Sequence, residues 1–166
     1  MRRRLLIILA IALLGSAVGA YSECTKEAER SHYTLEEVTF EDGNAFPASQ
    51  LRNLIPISSG DVFSVSRIRD GLWAIRELYG EHGYINFTVV PETLCDENRK
   101  SIHLTLILDE GEQFRLGKVL ILAPKGTAER LYSAWPVKPG AIYDTRRVQR
   151  FFKENRALLP VGWSPA

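Results

Sequence analysis

From residue 33 onward the chain alternates short runs of period-two hydrophobicity with longer runs at helical spacing. Val38 and Phe40 alternate with Glu37 and Thr39, which predicts a half-buried strand ending near residue 40. A short helix is expected from Pro47 to Leu54. After Ser64, the residues Val65, Ile68, Leu72, Ile75 and Tyr79 recur at spacings of three and four and give one apolar stripe. Ser64 is placed to cap that helix, and Gly83 to stop it in a left-handed conformation. Next, Ile85, Phe87 and Val89 alternate with Tyr84, Asn86, Thr88 and Val90, which predicts a strand over 84–90. Pro91 to Ser101 is polar and reads as a long loop. Ile102, Leu104, Leu106 and Leu108 then alternate again as a third strand, completing a hairpin.

The pattern repeats. Tyr33 to Phe40 aligns with Phe114 to Ile121 at an offset of 81, and Pro56 to Ser64 aligns with Pro136 to Asp144 at an offset of 80. The second copy therefore predicts a strand near 114–121, a short helix from Thr127 to Trp135, and a longer helix after the cap Asp144. That last helix carries Val148, Phe151 and Phe152, followed by Leu158, Leu159 and the terminator Pro160. Little sequence remains for a closing hairpin. Leu116, Leu120 and Leu122 fall on the face of the second-copy strand that should be polar, which implies a buried neighbour there.

Composition narrows the class. Of 166 residues, 45% are hydrophobic and 25% charged, which excludes a disordered or low-complexity chain. Arg2, Arg3 and Arg4, the apolar run Leu5 to Leu14 and the small residues Val18-Gly19-Ala20 read as an export signal cleaved after Ala20. The alternative is an uncleaved anchor, at the short limit for a spanning helix. Glu23, just before Cys24, does not fit a lipoprotein signal. Cleavage leaves 18 Lys and Arg against 20 Asp and Glu. Nothing in that balance gives a nucleic-acid footprint. In an oxidising compartment Cys24 and Cys95 either pair or stay as two free thiols.

Candidate chemistry is sparse. His32, His82 and His103 read as solvated, and no HxxxH or CxxC spacing suggests a metal site. Neither a catalytic residue nor a cofactor is expected. The basic side formed by Arg146, Arg147, Arg150, Lys153 and Arg156 reads as a solvated helix face, with docking to an acidic partner as the alternative. Trp73 and Trp135 read as packing residues, while Trp163 has no evident core.

Four stretches in this order resemble the POTRA domain (polypeptide-transport-associated, or surface-antigen variable-number repeat). They are Phe40 to Asn44, Gly60 to Ser64, Leu78 to Tyr84 and Asp109 to Gly111. The resemblance implies an α+β fold of β-α-α-β-β units, each a three-stranded mixed sheet covered by two helices. It implies a signal over 1–20, a linker over 21–32, one such domain over 33–111 and a partial second repeat over 112–166. It further implies a non-enzymatic, exported, periplasmic module that binds protein clients or outer-membrane assembly and secretion partners. Binding would be by strand addition at an edge formed by Tyr84, Ile85, Asn86, Phe87, Thr88, Val89 and Val90. Peripheral association with the outer membrane fits this reading, and no transmembrane segment is expected in the mature chain. Such proteins often continue into a membrane barrel, and no run of barrel strands follows Leu159 in this sequence. The alternatives are a truncated POTRA fragment without independent activity and a small secreted enzyme.

Overall fold

A computed structural model describes residues 24–160. The expected signal over 1–20 and the tail residue Trp163 lie outside the described residues. The order is helix α1 (24–30), strand β1 (Thr34–Glu41), helices α2 (Ala48–Arg52) and α3 (Val65–Glu81), and strands β2 (Thr88–Asp96) and β3 (Ser101–Asp109). Helices α4 (Lys125–Ala134) and α5 (Thr145–Glu154) follow, with a 3-10 turn at Arg156–Leu158. The sheet order is β1-β3-β2, with β1 parallel to β3. Parallel pairing needs a crossover, which the α2–α3 segment supplies. The class is α+β, as expected.

The chain packs as two compact bodies. The first comprises residues 24–73 with Val89–Asp109, and the second comprises Ala74–Thr88 with the residues from Glu110 on. The division runs through α3.

In the first body the central strand β3 supplies the core. Ile102, Leu104, Leu106 and Leu108 are all buried, together with Leu35, Leu51, Ile55, Phe63 and Ile68. The register shifts between Leu35 and Glu37, so that Leu35 faces Ile102 while Val38 and Phe40 face Leu104 and Leu106. This bulge keeps an odd-numbered and two even-numbered apolar residues of β1 on one face. Gly71 of α3 lies so close to the segment that follows α2 that an added Cβ would fall 2.9 Å from the Ile55 Cα.

Three expectations are corrected in this body. Residues 24–30, expected as linker, are helical. Ala28 is buried, and Cys24 and Cys95 are joined as a disulfide with their Cα atoms 6.1 Å apart. The α3 cap also differs. Ser64 Oγ bonds to Ser66 Oγ (2.9 Å), while the Val65 N–H donates to Glu29 Oε1 of α1 (3.2 Å). Finally, β2 runs on through Pro91 to Asp96, where a long loop was expected. The connection to β3 is only residues 97–100, because Asp96 Oδ1 accepts from the N–H groups of Asn98 (2.9 Å) and Arg99 (3.0 Å) and forms a tight side-chain turn.

In the second body, Gly83 ends α3 at φ +87°, and a side chain there would strike the Phe114 carbonyl. The Tyr79 and Phe87 rings stack at 3.9 Å, and the Tyr79 hydroxyl bonds Glu110 Oε1 at 2.8 Å. Asp144 caps α5 as expected, accepting from the Arg147 N–H at 3.0 Å. The repeat is written in the backbone bonds. Phe63 N–H donates to Tyr33 C=O (2.7 Å), as Tyr143 N–H does to Phe114 C=O (3.0 Å). Leu35 N–H donates to Asp61 C=O (2.8 Å), as Leu116 N–H does to Ala141 C=O (2.8 Å). Yet the strand expected over 114–121 does not form. Arg115 makes a single antiparallel bridge to Ile142, and the chain then runs on without a strand partner among the described residues. A strand needs a neighbour, and none pairs with 116–121 among the described residues.

Two stability outcomes follow. Replacing Cys24 and Cys95 together with Ala should lower the urea unfolding free energy by up to about 4 kcal/mol, since the bridge closes a loop of 71 residues. A thiol count on the unreduced native protein should give none. Gly71→Ala should destabilise by about 1–3 kcal/mol through overpacking against Ile55, even though alanine favours the helix by about 1 kcal/mol. Equilibrium denaturation reads both.

Candidate protein-binding site

A sheet of order β1-β3-β2 has two edges, and they are not alike. The outer side of β1 is occupied over its first half. Leu35 N–H donates to Asp61 C=O (2.8 Å), Gly60 N–H to Leu35 C=O (2.8 Å), and Ser59 Oγ to Glu36 C=O (2.5 Å). β2 forms the other edge, as expected of the strand that follows the long helix.

The residues expected to form that edge divide. Thr88, Val89 and Val90 lie in β2. Tyr84, Ile85, Asn86 and Phe87 do not. They form the turn after α3, in which Tyr84 N–H donates to Tyr79 C=O (3.0 Å) and Phe87 N–H to Tyr84 C=O (3.2 Å). Phe87 is buried because its ring stacks on Tyr79, not because a sheet covers it. The alternation through 85–89 therefore mixes a turn anchor with true strand residues.

Sequence reasoning missed the second half of the edge, Pro91 to Asp96. The signal was present in the continued alternation Val89, Pro91, Thr93, Cys95. Pro91 hid it, since proline in a strand normally argues against that assignment. An edge strand is the exception, because the ring nitrogen can face away from the sheet. Along a strand the N–H and C=O of one residue point to the same side and alternate with those of the next. With Pro91 facing outward, Val89, Thr93 and Cys95 also present their backbone groups outward, while Val90, Glu92 and Leu94 turn theirs to β3.

The side chains follow the same alternation. Thr93 is buried toward the helices, where its hydroxyl bonds Thr25 of α1 at 3.0 Å. Val90 and Leu94 project on the open face and are 55% and 69% exposed. Beside β2, on the helical side, lies a groove of about 480 Å³. Its walls are α1 (Thr25, Glu29), the start of α3 (Val65, Ile68, Leu72) and the sheet (Pro91, Thr93, Leu104). The edge is thus flanked by apolar surface on both faces.

The open face also carries a polar cluster that the sequence did not reveal. Glu36 accepts from Ser101 Oγ (2.8 Å), pairs with Arg99 (2.8 Å) and lies 3.0 Å from His103 Nε2. His103 Nδ1 is 3.9 Å from Glu37. The parallel register makes the cluster, since it sets Glu37 opposite His103 and Thr34 opposite Ser101. The Ser101 hydrogen bond, helped by the Arg99 charge, holds the Glu36 carboxyl below the usual range. Among the described residues, no group of three or more His, Cys, Asp or Glu is placed to hold a metal ion, and no helix is long and apolar enough to cross a membrane.

The Glu36 shift has a definite sign. A carboxyl whose pKa falls on folding stabilises the fold above its unfolded value, and that contribution is lost as pH falls through the lowered folded value. Glu36→Gln should therefore flatten the acid side of the stability profile, below about pH 4.3, and leave its alkaline side unchanged. Urea midpoints taken between pH 2 and pH 8 check this.

Comparison with known proteins agrees with this architecture. The fold is similar to that of the crystal structure of Haemophilus influenzae BamA POTRA3-5, with 22% identity and a TM-score of 0.59, over 74% of this chain and 50% of that one. It is also similar to Haemophilus ducreyi BamA lacking POTRA domains 1-3, with 17% identity and a TM-score of 0.63, over 75% of this chain and 24% of that one. The chain thus spans half the length of the first and about a quarter of the second. Residues 33–111 match the family described as POTRA, surface antigen variable number repeat. Residues 33–111, with their parallel β1–β3 pair, edge hairpin and two intervening helices, are thus a segment that matches the POTRA family and shares the fold of solved POTRA domains.

Proposed function

We propose that this chain is a non-enzymatic, exported module that binds protein clients or partners on the periplasmic side during outer-membrane protein assembly or secretion. The binding device is the edge of β2, to which an extended segment adds as a further strand. The observation that carries this reading is the position of β2 at an edge of the sheet, with apolar surface on both faces. With the Pro91 nitrogen turned away from β3, Val89, Thr93 and Cys95 would offer their backbone groups on the outward side. Backbone pairing at an edge recognises extended chain rather than a particular sequence, and side-chain pockets add selectivity. The groove beside Ile68, Leu72 and Leu104 would take the alternate apolar side chains of the added strand. The POTRA match supports protein binding as the general role.

The register tells which substitution tests this. Val90→Pro would remove an N–H that faces β3 and break the sheet. Val89→Pro removes an outward N–H and should leave the sheet paired. The probe is an unfolded outer-membrane porin diluted from urea, with backbone hydrogen exchange as readout. The wild-type chain should gain protection within residues 88–96. Val89→Pro should lose capture at least tenfold with its thermal midpoint within a few degrees of wild type. Full capture by Val89→Pro, or protection confined to other segments, would remove strand addition at β2 as the mechanism.

A further inference from the structure

The two faces of β2 differ in charge, and the difference specifies the strand that would add there. On the helical side, Pro91 and Thr93 border the groove of about 480 Å³, together with the apolar Phe63, Ile68, Leu72 and Leu104. Lys26 of α1 and Arg69 of α3 also border it, both exposed and neither in an ion pair among the described residues. Glu29 is the third charged residue there, and its Oε1 accepts from the Val65 N–H at 3.2 Å. A side chain entering from this side meets apolar surface between two cations, which disfavours lysine or arginine.

The open face has the opposite sign. Side chains alternate along a strand, so Glu92 projects on the open face between Val90 and Leu94. Glu37 and Glu41 of β1 share that face, since their β3 partners His103 and Ile107 alternate with the buried Leu104 and Leu106. Glu36 lies there too, engaged by Arg99 and Ser101. Glu92 is half-buried and makes no hydrogen bond or ion pair among the described residues. It is a carboxylate held between two exposed aliphatic side chains on the edge strand.

Glu92 also stands where a facing side chain comes closest. With the Pro91 nitrogen turned outward, Glu92 turns its own N–H and C=O to β3. Toward an antiparallel added strand it is then a non-hydrogen-bonded position, where opposed Cα atoms approach to about 4.5 Å. Opposite charges at such a pair are favourable and like charges unfavourable.

We infer that Glu92 selects and registers the incoming strand. The segment taken by β2 carries apolar residues at alternate positions toward the groove and a lysine or arginine facing Glu92 on the open side. The inference rests on strand addition at β2. A slip of one residue would carry the cation into the groove beside Lys26 and Arg69 and turn the apolar residues outward, so the charge pair fixes the register.

The test uses the purified full-length chain and short synthetic strands with valine at every second position and threonine between. One central threonine is lysine, glutamine or glutamate in three otherwise identical peptides. Titration at low salt should show the lysine peptide binding about fivefold tighter than the glutamate peptide, with exchange slowed within 88–96. Molar salt should close that gap. Glu92→Gln should give the three peptides about equal affinity, and Glu92→Lys should reverse their order, each with a thermal midpoint near that of wild type. A peptide whose lysine is moved by one position, onto the valine face, should bind more weakly than the glutamine peptide. Slowed exchange at 88–96 with equal affinity for the lysine and glutamate peptides would overturn the role of Glu92 and leave strand addition standing. A lysine preference that survives in Glu92→Gln would overturn it as well. Exchange at 88–96 unchanged by every peptide would overturn strand addition at β2 and this inference with it.

Discussion

The first body depends on the pairing of β3 with β1. These strands are far apart in sequence, and their parallel alignment is possible only because the α2–α3 segment carries the chain back across the sheet. Once β3 is central, Ile102, Leu104, Leu106 and Leu108 all lie in the interior, and the remaining apolar residues pack around them. The same pairing sets Glu36 and Glu37 beside Ser101 and His103 on the opposite face. Core and polar cluster are therefore two sides of one register.

The second body has no such strand pair among its described residues. Its helices form, its cap forms, and its turn repeats the backbone bonds of the first copy. Its first strand does not, because a strand has no structure independent of a neighbour. Leu120 and Leu122 remain 69% and 87% exposed. Helices satisfy their own backbone, so α4 and α5 form without a strand pair beside them.

The N-terminal helix changes the picture of the binding edge. Through the Cys24–Cys95 bridge and the Thr25–Thr93 hydrogen bond, α1 is fastened to the far end of β2. Glu29 caps α3 from the same helix. The groove beside the edge therefore has a third wall, built from a segment that reads in sequence as a linker.

By itself the sequence determined the class, the repeat, the long helix with its glycine stop and the Asp144 cap, while the edge position of the strand after that helix was implied by the family resemblance. Those features are local, or recur at a fixed offset, so they can be read along the chain. It did not determine where that strand begins and ends. Ile85 and Phe87 continue the alternation but belong to a turn, and Pro91 interrupts a strand that in fact runs to Asp96. Phe87 is held by a ring from an earlier helix turn, and Pro91 is tolerated only because nothing pairs on its nitrogen side. Both depend on which neighbour stands beside the strand. The Glu36 cluster has the same kind of origin. It is set by strand order and by the register of β1 on β3, which join residues more than sixty positions apart, and only the tertiary structure decides it.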